Sequence, residues 1–140
     1  MLTGGCFCSA VRYRVDGALQ NARACHCSRC RKAFSGASSH YAELAPGAEF
    51  AWTAGEALLR SYASQEGYGL RFCGNCGTTL CGTAGDSVHG LTLGSVDGDP
   101  GVQISMHLFV ASKASWDCIG GDAPQFDAFP PTMRPIASDR

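Results

Sequence analysis

The sequence predicts a mainly β domain with little helix, and three observations support this. Short strand-like segments recur along the 140 residues, separated by clusters of Gly, Pro and Asp. Glycine occurs 18 times, which is typical of a chain with many tight turns. The best helical candidate is short, over Ser28–Phe34. A chain of this length corresponds to one domain, so we expect a single domain over residues 1–140 with its core at about 4–127.

The clearest strand signal comes first along the chain. From Val11 to Asp16 apolar and charged residues alternate, which predicts a half-buried strand ending before Gly17. The other strand candidates, in order, are Ser39–Leu44, Phe50–Thr53, Leu58–Ala63, Leu70–Phe72, Val88–Leu93 and Ile104–Val110. Residues 128–140 contain Pro130, Pro131 and Pro135 and predict an irregular tail.

Composition and charge argue against two classes of partner. The net charge is −1, and the basic residues are mostly Arg, without the strong basic excess of a nucleic-acid-binding protein. Apolar runs fall short of the roughly 18 residues that a membrane span needs. The first residues have neither the basic nor the apolar segment of a secretory signal, so we expect a cytoplasmic protein.

The nine cysteines are the most informative feature of the composition. In a chain without an export signal they favour metal binding over disulfides, and an odd number cannot pair completely within one molecule. Two of them, Cys81 and Cys118, stand alone, and we interpret them as buried small apolar residues. The other seven form three close-spaced groups: Cys6 and Cys8; Cys25, Cys27 and Cys30; Cys73 and Cys76.

The spacing within each group suits metal binding. Residues i and i+2 of a strand point to the same face, so Cys6 and Cys8 can bind one ion, and so can Cys25 and Cys27. A C-x-x-C turn brings two sulfurs together at 27–30 and again at 73–76, where we expect Gly74-Asn75 to supply positive φ. A thioredoxin-type redox pair would need a βαβ context that the chain lacks.

The seven cysteines can be divided between two sites in more than one way. A closed structural zinc prefers four thiolates, which one C-x-C and one C-x-x-C supply together: Cys6, Cys8, Cys73 and Cys76. Three ligands then remain, as in a catalytic zinc with an open position: Cys25, Cys27 and Cys30. The alternative closes the triplet with a fourth ligand, such as Cys81 or a His.

Basic residues cluster around the triplet. We take Arg29 and Arg31 as candidate substrate-binding residues, because Arg can offset the charge of three thiolates and bind the carboxylates of an anionic thiol. His26 would point away from its neighbouring cysteines in a strand, so we interpret it as a supporting or packing residue. We interpret His107, in a strand-like segment, as a structural histidine.

These motifs resemble the glutathione-dependent formaldehyde-activating enzyme family. The residues that carry the resemblance are Gly5-Cys6-Phe7-Cys8, Cys25-His26-Cys27-Ser28-Arg29-Cys30-Arg31-Lys32 and Arg71-Phe72-Cys73-Gly74-Asn75-Cys76-Gly77. The resemblance implies a β-tent-like fold of several short coiled antiparallel sheets and two zinc ions. It also implies a structural zinc on the first and last motifs, with a second zinc with an open position on the middle one.

The activity that the resemblance implies is that of a zinc-dependent carbon–sulfur lyase. Such an enzyme adds a small thiol, such as glutathione, to formaldehyde or a related aldehyde. Two other functions remain compatible with the residues. One is a non-enzymatic zinc module that binds another macromolecule. The other is a zinc-containing methionine sulfoxide reductase, which would need an exposed catalytic cysteine and a resolving partner. Cys81 and Cys118 could be nominated for these roles, but no motif around either supports them.

Overall fold

A computed structural model describes residues 1–64 and 67–132 of the chain. Within these ranges strand far exceeds helix, which confirms the mainly β prediction. In chain order the elements are β1 (Leu2–Gly5), β2 (Arg12–Asp16), β3 (Leu19–Cys25), α1 (Ser28–Phe34), β4 (Ser39–Leu44), β5 (Glu49–Ala54), β6 (Leu59–Ala63), β7 (Tyr68–Cys73), β8 (Thr79–Ala84), β9 (Ser87–Thr92) and β10 (Met106–Leu108).

The described strands form two sheets. The smaller sheet has the order β1-β2-β5, and the larger has the order β10-β3-β4-β9-β8-β7-β6. Neighbouring strands are antiparallel except β10, which pairs with β3 in parallel. A parallel pair needs a long connection, and most of the chain lies between these two strands. The antiparallel pairing expected from the resemblance therefore holds between the described strands except at this edge.

The sequence predicted several elements closely. The bounds of α1 and β4 agree with the predicted segments, and β2, β5, β6, β7 and β9 differ from theirs by one or two residues at either end. The predicted strand Ile104–Val110 is too long, since β10 covers Met106–Leu108 only. It ends there because Phe109 adopts a left-handed backbone with φ 55°. Strands β1, β3 and β8 were not predicted.

The main core packs the smaller sheet against the larger one. Tyr13 and Val15 of β2 are buried in the same cluster as Leu80 of β8 and Leu91 of β9. The Tyr13 hydroxyl is 2.8 Å from Ser95 Oγ, which satisfies the buried phenol. A Cβ atom at Gly4 would lie 2.2 Å from Tyr13 Oη, so the first strand needs glycine at this point.

The ends of the described chain bear on two further expectations. Residues 128–132 contain neither helix nor strand, as expected for an irregular tail, and 133–140 lie outside the described residues. Among the helices that the structure describes, none combines the length and apolar character required to cross a membrane.

Candidate metal centres

Four cysteines from distant parts of the chain meet at the first centre. Cys6 and Cys8 lie in the turn after β1, Cys73 ends β7, and Cys76 lies in the turn that follows. Their four sulfurs all lie within 4.8 Å of one another. The expectation that Cys6 and Cys8 share a strand face is wrong, because β1 ends at Gly5 and both cysteines lie beyond it, where the chain turns.

The sulfur separations at this centre fit a tetrahedral ion. Cys6 Sγ is 3.5 Å from Cys8 Sγ, and Cys8 Sγ is 3.9 Å from Cys73 Sγ. Four thiolates about 2.3 Å from a zinc ion would be about 3.8 Å apart, whereas disulfide sulfurs are about 2.05 Å apart. The group could therefore hold a metal ion without rearrangement of the backbone.

Nitrogen donors surround the sulfurs of the first centre. Val11 N donates to Cys6 Sγ at 3.3 Å, Asn75 Nδ2 to Cys8 Sγ at 3.3 Å, and Asn75 N to Cys73 Sγ at 3.4 Å. Such bonds stabilise and orient thiolates that ligate a metal. Asn75 therefore acts through its donors on two sulfurs, a role that the sequence pattern did not reveal.

Glycines shape the 73–76 turn differently from the sequence expectation. Neither Gly74 nor Asn75 is among the residues with positive φ, whereas Gly77 has φ 82°. Gly74 is required for close packing, because its N–H donates to the Leu58 carbonyl at 2.8 Å and a Cβ atom would lie 2.6 Å from that oxygen.

The thiols of the first centre differ in acidity. Hydrogen bonds from Thr78 lower the pKa of Cys76 to about 5, whereas burial raises the pKa of Cys6 to about 11. At neutral pH the thiolate form of Cys76 is thus favoured over its thiol form. The buried Cys6 requires a positive charge beside it to ionise at this pH.

The first centre also joins the two sheets. Its first pair of cysteines follows β1 of the smaller sheet, and its second pair follows β7 of the larger sheet. Phe7 N donates to Thr78 Oγ1 at 3.0 Å between the two turns. Cys6 and Cys73 are themselves part of the main core. An ion here would therefore cross-link the two halves of the fold.

The second centre is built from one short segment. Cys25 ends β3, Cys27 is the residue before α1, and Cys30 lies in its first turn. The three sulfurs lie within 4.8 Å of one another, and those of Cys25 and Cys27 are 3.5 Å apart. The side chains are nearly inaccessible, with exposed fractions of 4%, 5% and 9%.

The local backbone at this centre differs from the predicted strand and turn. Cys27 caps α1, with its Sγ accepting from Cys30 N at 3.4 Å. The start of a helix leaves N–H groups without carbonyl partners, and here a sulfur takes one of them. Strand β3 therefore ends at Cys25 and α1 begins at Ser28, so Cys25 and Cys27 do not lie on one extended strand.

Only three ligands meet at the second centre in the part of the chain that the structure describes. Neither Cys81 nor a described His joins the group as a fourth ligand. Cys81 packs in the main core, and the neighbouring His26 has its Nε2 2.9 Å from His107 Nδ1. Contacts with Cys27 and Cys30, together with burial, raise the pKa of the Cys25 thiol well above its usual range. Three thiolates at this site thus require a cation.

His26 and Arg31 hold the loop that carries these cysteines. His26 is buried, its N–H donates to the Leu108 carbonyl at 2.9 Å, and burial lowers the pKa of both His26 and His107. The Arg31 guanidinium donates to the carbonyls of His26, at 2.7 Å, and Ser112. The pairing agrees with the packing role expected for His26 and the structural role expected for His107. It also gives Arg31 a structural role that the sequence did not reveal.

Two cavities adjoin the second centre. A cleft of about 610 Å³ is lined by Cys30, with the basic side chains of Arg29 and Lys32 and the aromatic walls of Phe34 and Phe72. A smaller pocket of about 140 Å³ is lined by both Cys25 and Cys30. The three sulfurs therefore lie deep in the fold but border spaces that small molecules can occupy.

The two cysteines outside the centres differ in exposure. Cys81 is fully buried, as expected, with an exposed fraction of 0%. The interpretation of Cys118 as a buried residue is wrong, because the structure places it on the surface. It borders a cleft shared with His40 and Asp117, in a segment that forms neither helix nor strand.

The two centres should lose metal at different chelator concentrations. Three protein ligands hold an ion less firmly than four, so graded chelation of the metal-loaded protein is expected to release the ion of Cys25, Cys27 and Cys30 first. Metal analysis after gel filtration at each chelator concentration measures this. A Cys118→Ser protein should behave as the wild type. Simultaneous release of both ions at one concentration contradicts the assignment.

The chain is similar to known proteins in both sequence and structure. A sequence model described as "Glutathione-dependent formaldehyde-activating enzyme" matches residues 1–112, which include all seven clustered cysteines. A crystal structure of a Rhodobacter sphaeroides protein is similar to the chain, with a TM-score of 0.54 and 22% sequence identity over 89% of this chain and 99% of that one. This likeness supports the fold alone. No curated protein is significantly similar to the chain.

Proposed function

This chain belongs to the glutathione-dependent formaldehyde-activating enzyme family, and we propose that it adds a small glutathione-like thiol to formaldehyde or a related aldehyde. Membership supports glutathione-dependent formaldehyde activation in general terms, and the carbon–sulfur lyase reaction is our specific proposal. The observation that carries it is the cluster of three buried cysteines bordering a basic cleft on one side and a small pocket on the other.

We further propose that both centres bind zinc. The sulfur separations fit a tetrahedral ion, and thiolate ligands suit zinc. A structural ion is assigned to Cys6, Cys8, Cys73 and Cys76, and a second ion to Cys25, Cys27 and Cys30. When bound at a three-thiolate site, zinc supplies a positive charge that favours the thiolate form of an incoming thiol.

The cleft residues bind and orient the thiol substrate in this proposal. Glutathione carries carboxylates, and Arg29 and Lys32 place two positive charges at the cleft beside Cys30. Arg31 lies in the same helix, and its guanidinium also holds the loop through two backbone carbonyls. Its predicted contact with substrate stays a prediction.

The apolar walls contribute by excluding water from the reacting atoms. Phe34 and Leu70 border both the cleft and the pocket, so they lie where the two spaces approach the cysteines. Holding two small reactants together removes the entropy cost of a bimolecular encounter, which lowers the activation free energy by several kcal/mol, in order of magnitude, when the reactants are well oriented. The residues of this chain thus perform binding, orientation and exclusion of water.

The proposed reaction can be followed directly. Zinc-loaded protein mixed with glutathione and ¹³C-formaldehyde is expected to form S-hydroxymethylglutathione faster than the spontaneous reaction, because both reactants are held beside the second centre. NMR exchange measurements over a range of protein concentrations give the rate. A rate independent of protein concentration contradicts the enzyme proposal and favours a non-enzymatic zinc module.

Replacing Arg29 with Ala should weaken use of the thiol. A charge-assisted hydrogen bond to a carboxylate contributes about 1.5 kcal/mol at the low end, so KM for glutathione is expected to rise about tenfold. Arg14→Ala is the matched control, because Arg14 is also exposed but lies in the smaller sheet. Equal KM values for glutathione in Arg29→Ala and Arg14→Ala would contradict binding of the thiol in the cleft beside Cys30.

A further inference from the structure

The small pocket beside the second centre contains an organised polar pair that the thiol-binding proposal does not use. Its lining includes Cys25 and Cys30 together with Tyr41 of β4, Thr83 of β8 and His89 of β9. Tyr41 Oη is 2.9 Å from His89 Nδ1, and the two rings are stacked at an angle of 10°. The pair therefore faces the same space as two of the three clustered cysteines.

The volume of the pocket limits the size of the molecule that it can bind. A cavity of about 150 Å³ in T4 lysozyme binds benzene, and one water occupies about 30 Å³ of liquid. This pocket, at about 140 Å³, fits a carbonyl compound of a few heavy atoms but not a tripeptide. The neighbouring cleft of about 610 Å³ is the one large enough for a glutathione-like thiol. The two reactants thus have separate spaces that meet at Cys30.

Two glycines make room for the Tyr41 side chain. Gly82 of β8 and Gly90 of β9 are register partners, directly opposite each other. A Cβ atom at either position would lie 2.6 Å from Tyr41 Oη, closer than packing allows. The Tyr41 phenol therefore packs against the backbone of both strands, and any side chain larger than that of glycine at position 82 or 90 would overlap it.

A pair of charged residues also contacts the Tyr41 ring. The Arg23 guanidinium lies 5.4 Å from the ring centre, within the range of a cation–π contact. Arg23 is itself held by Glu43, with Nη1 2.7 Å from Oε1. Tyr41 is thus restrained by the backbone of β8 and β9, by Arg23 and by His89, which is the kind of support a group that binds substrate requires.

We propose that the small pocket binds the aldehyde and that Tyr41, oriented by His89, donates a hydrogen bond to the aldehyde oxygen. This inference rests on the proposed function. His89 Nδ1–H donates to Tyr41 Oη in the state that binds the aldehyde, because this tautomer leaves the phenol hydrogen for the carbonyl oxygen. Tyr41 becomes a catalytic residue, and His89 is a positioning residue.

The hydrogen bond acts where charge develops during the addition. The sulfur–carbon bond forms as the carbonyl π bond opens, and the oxygen gains negative charge that a donor stabilises. The thiol releases its proton to solvent before the attack, and the alkoxide oxygen takes one proton from solvent after it. The adduct thus contains all the atoms of the thiol and the aldehyde, and no oxidant or reductant takes part.

An unreactive carbonyl probe tests the pocket apart from catalysis. Titration of zinc-loaded protein with 2,2,2-trifluoroacetamide, followed by ¹⁹F NMR, is expected to show binding by the wild type. Tyr41→Phe should weaken it about fivefold, the effect of one typical hydrogen bond. Thr83→Leu should weaken it at least tenfold by filling the pocket. Tyr13→Phe is the matched control, because it removes a buried hydroxyl elsewhere in the fold and should bind as the wild type.

The outcomes separate this inference from the proposed function. Unchanged probe binding in both pocket variants, or no binding by the wild type, overturns the assignment of the pocket. Melting temperature and zinc content identify a variant that fails to fold, in which case the other variant decides. In the same proteins Tyr41→Phe should lower kcat and raise KM for formaldehyde but leave KM for glutathione unchanged. Failure of glutathione to perturb the second centre would contradict the thiol site and leave the probe result intact.

Discussion

Replacing Cys73 with Ser is expected to unfold the domain under conditions in which the wild type is folded. Cys73 is fully buried, belongs to the main core and supplies one of four sulfurs that join the two sheets. Apparent binding free energies of structural zinc sites are about 10–16 kcal/mol, and whole domains are stable by about 5–15 kcal/mol. Losing a large part of the binding free energy of zinc therefore removes more stability than the free energy of unfolding of the domain provides.

Thermal melting with zinc analysis measures this effect, and Cys81→Ser is the matched control. Cys81 has the same exposed fraction of 0% and lies in the same core, but it belongs to neither metal group. The control should remain folded with a loss of about 1–3 kcal/mol for a buried hydroxyl. Similar melting temperatures for the two variants would contradict the structural role of the first centre.

Replacing Cys27 with Ser is expected to reduce the thiol–formaldehyde reaction to its spontaneous rate without unfolding the domain. Within residues 1–64 and 67–132 the ligands of the second centre all come from positions 25–30, so its loss does not separate the sheets. Ser is a favourable residue before a helix, and its hydroxyl can accept from Cys30 N as the sulfur does. The substitution therefore removes one metal ligand while preserving the cap of α1.

Circular dichroism, zinc content and NMR exchange rates on the same samples separate folding from function. Cys118→Ser is the control, because it removes an exposed thiol outside both centres and should keep two zinc ions and the wild-type rate. A Cys27→Ser protein that still accelerates the reaction would place the reaction elsewhere in the molecule.

The sequence predicted the elements that carry strong local signals. Alternation defined β2, and the predicted helical segment Ser28–Phe34 coincides with α1, which the structure bounds with the Cys27 cap and with Ser35 at φ 50°. The cysteines fall into the two groups of the predicted division. Close spacing accounts for the sulfurs that meet within one motif, whereas the meeting of Cys8 with Cys73 depends on how the two sheets pack. The local backbone of Cys6 and Cys8 was predicted less well, because a C-x-C spacing suits a tight turn as well as a strand.

The remaining elements depend on contacts that sequence spacing does not encode. Strand β1 contains Gly4-Gly5, which disfavour strands by propensity but are required by the side chains of β2. Strand β3 is interrupted by Asn21, whose φ of 52° accompanies a shift of register, so its apolar residues do not alternate. Strand β8 is buried along most of its length, so it lacks a polar face that would mark it.

The pair of Tyr41 and His89 was also beyond the sequence alone. The two residues are 48 positions apart and meet only because β4 and β9 are neighbours in the larger sheet. The glycines of β8 and β9 that admit the phenol resemble turn residues in the sequence. They are recognisable as packing positions only once the register of these strands is known.

The most direct test of the account asks whether the second centre is open to a small thiol. Cobalt substituted for zinc reports its thiolate ligands through absorption, so glutathione titrated into the cobalt protein adds a thiolate band if a position is free. We expect a saturable change in the wild type that is weaker in Arg29→Ala and absent in Cys27→Ser. A spectrum that stays constant with glutathione and with several other small thiols would contradict an open three-cysteine centre and favour a closed, non-enzymatic zinc module.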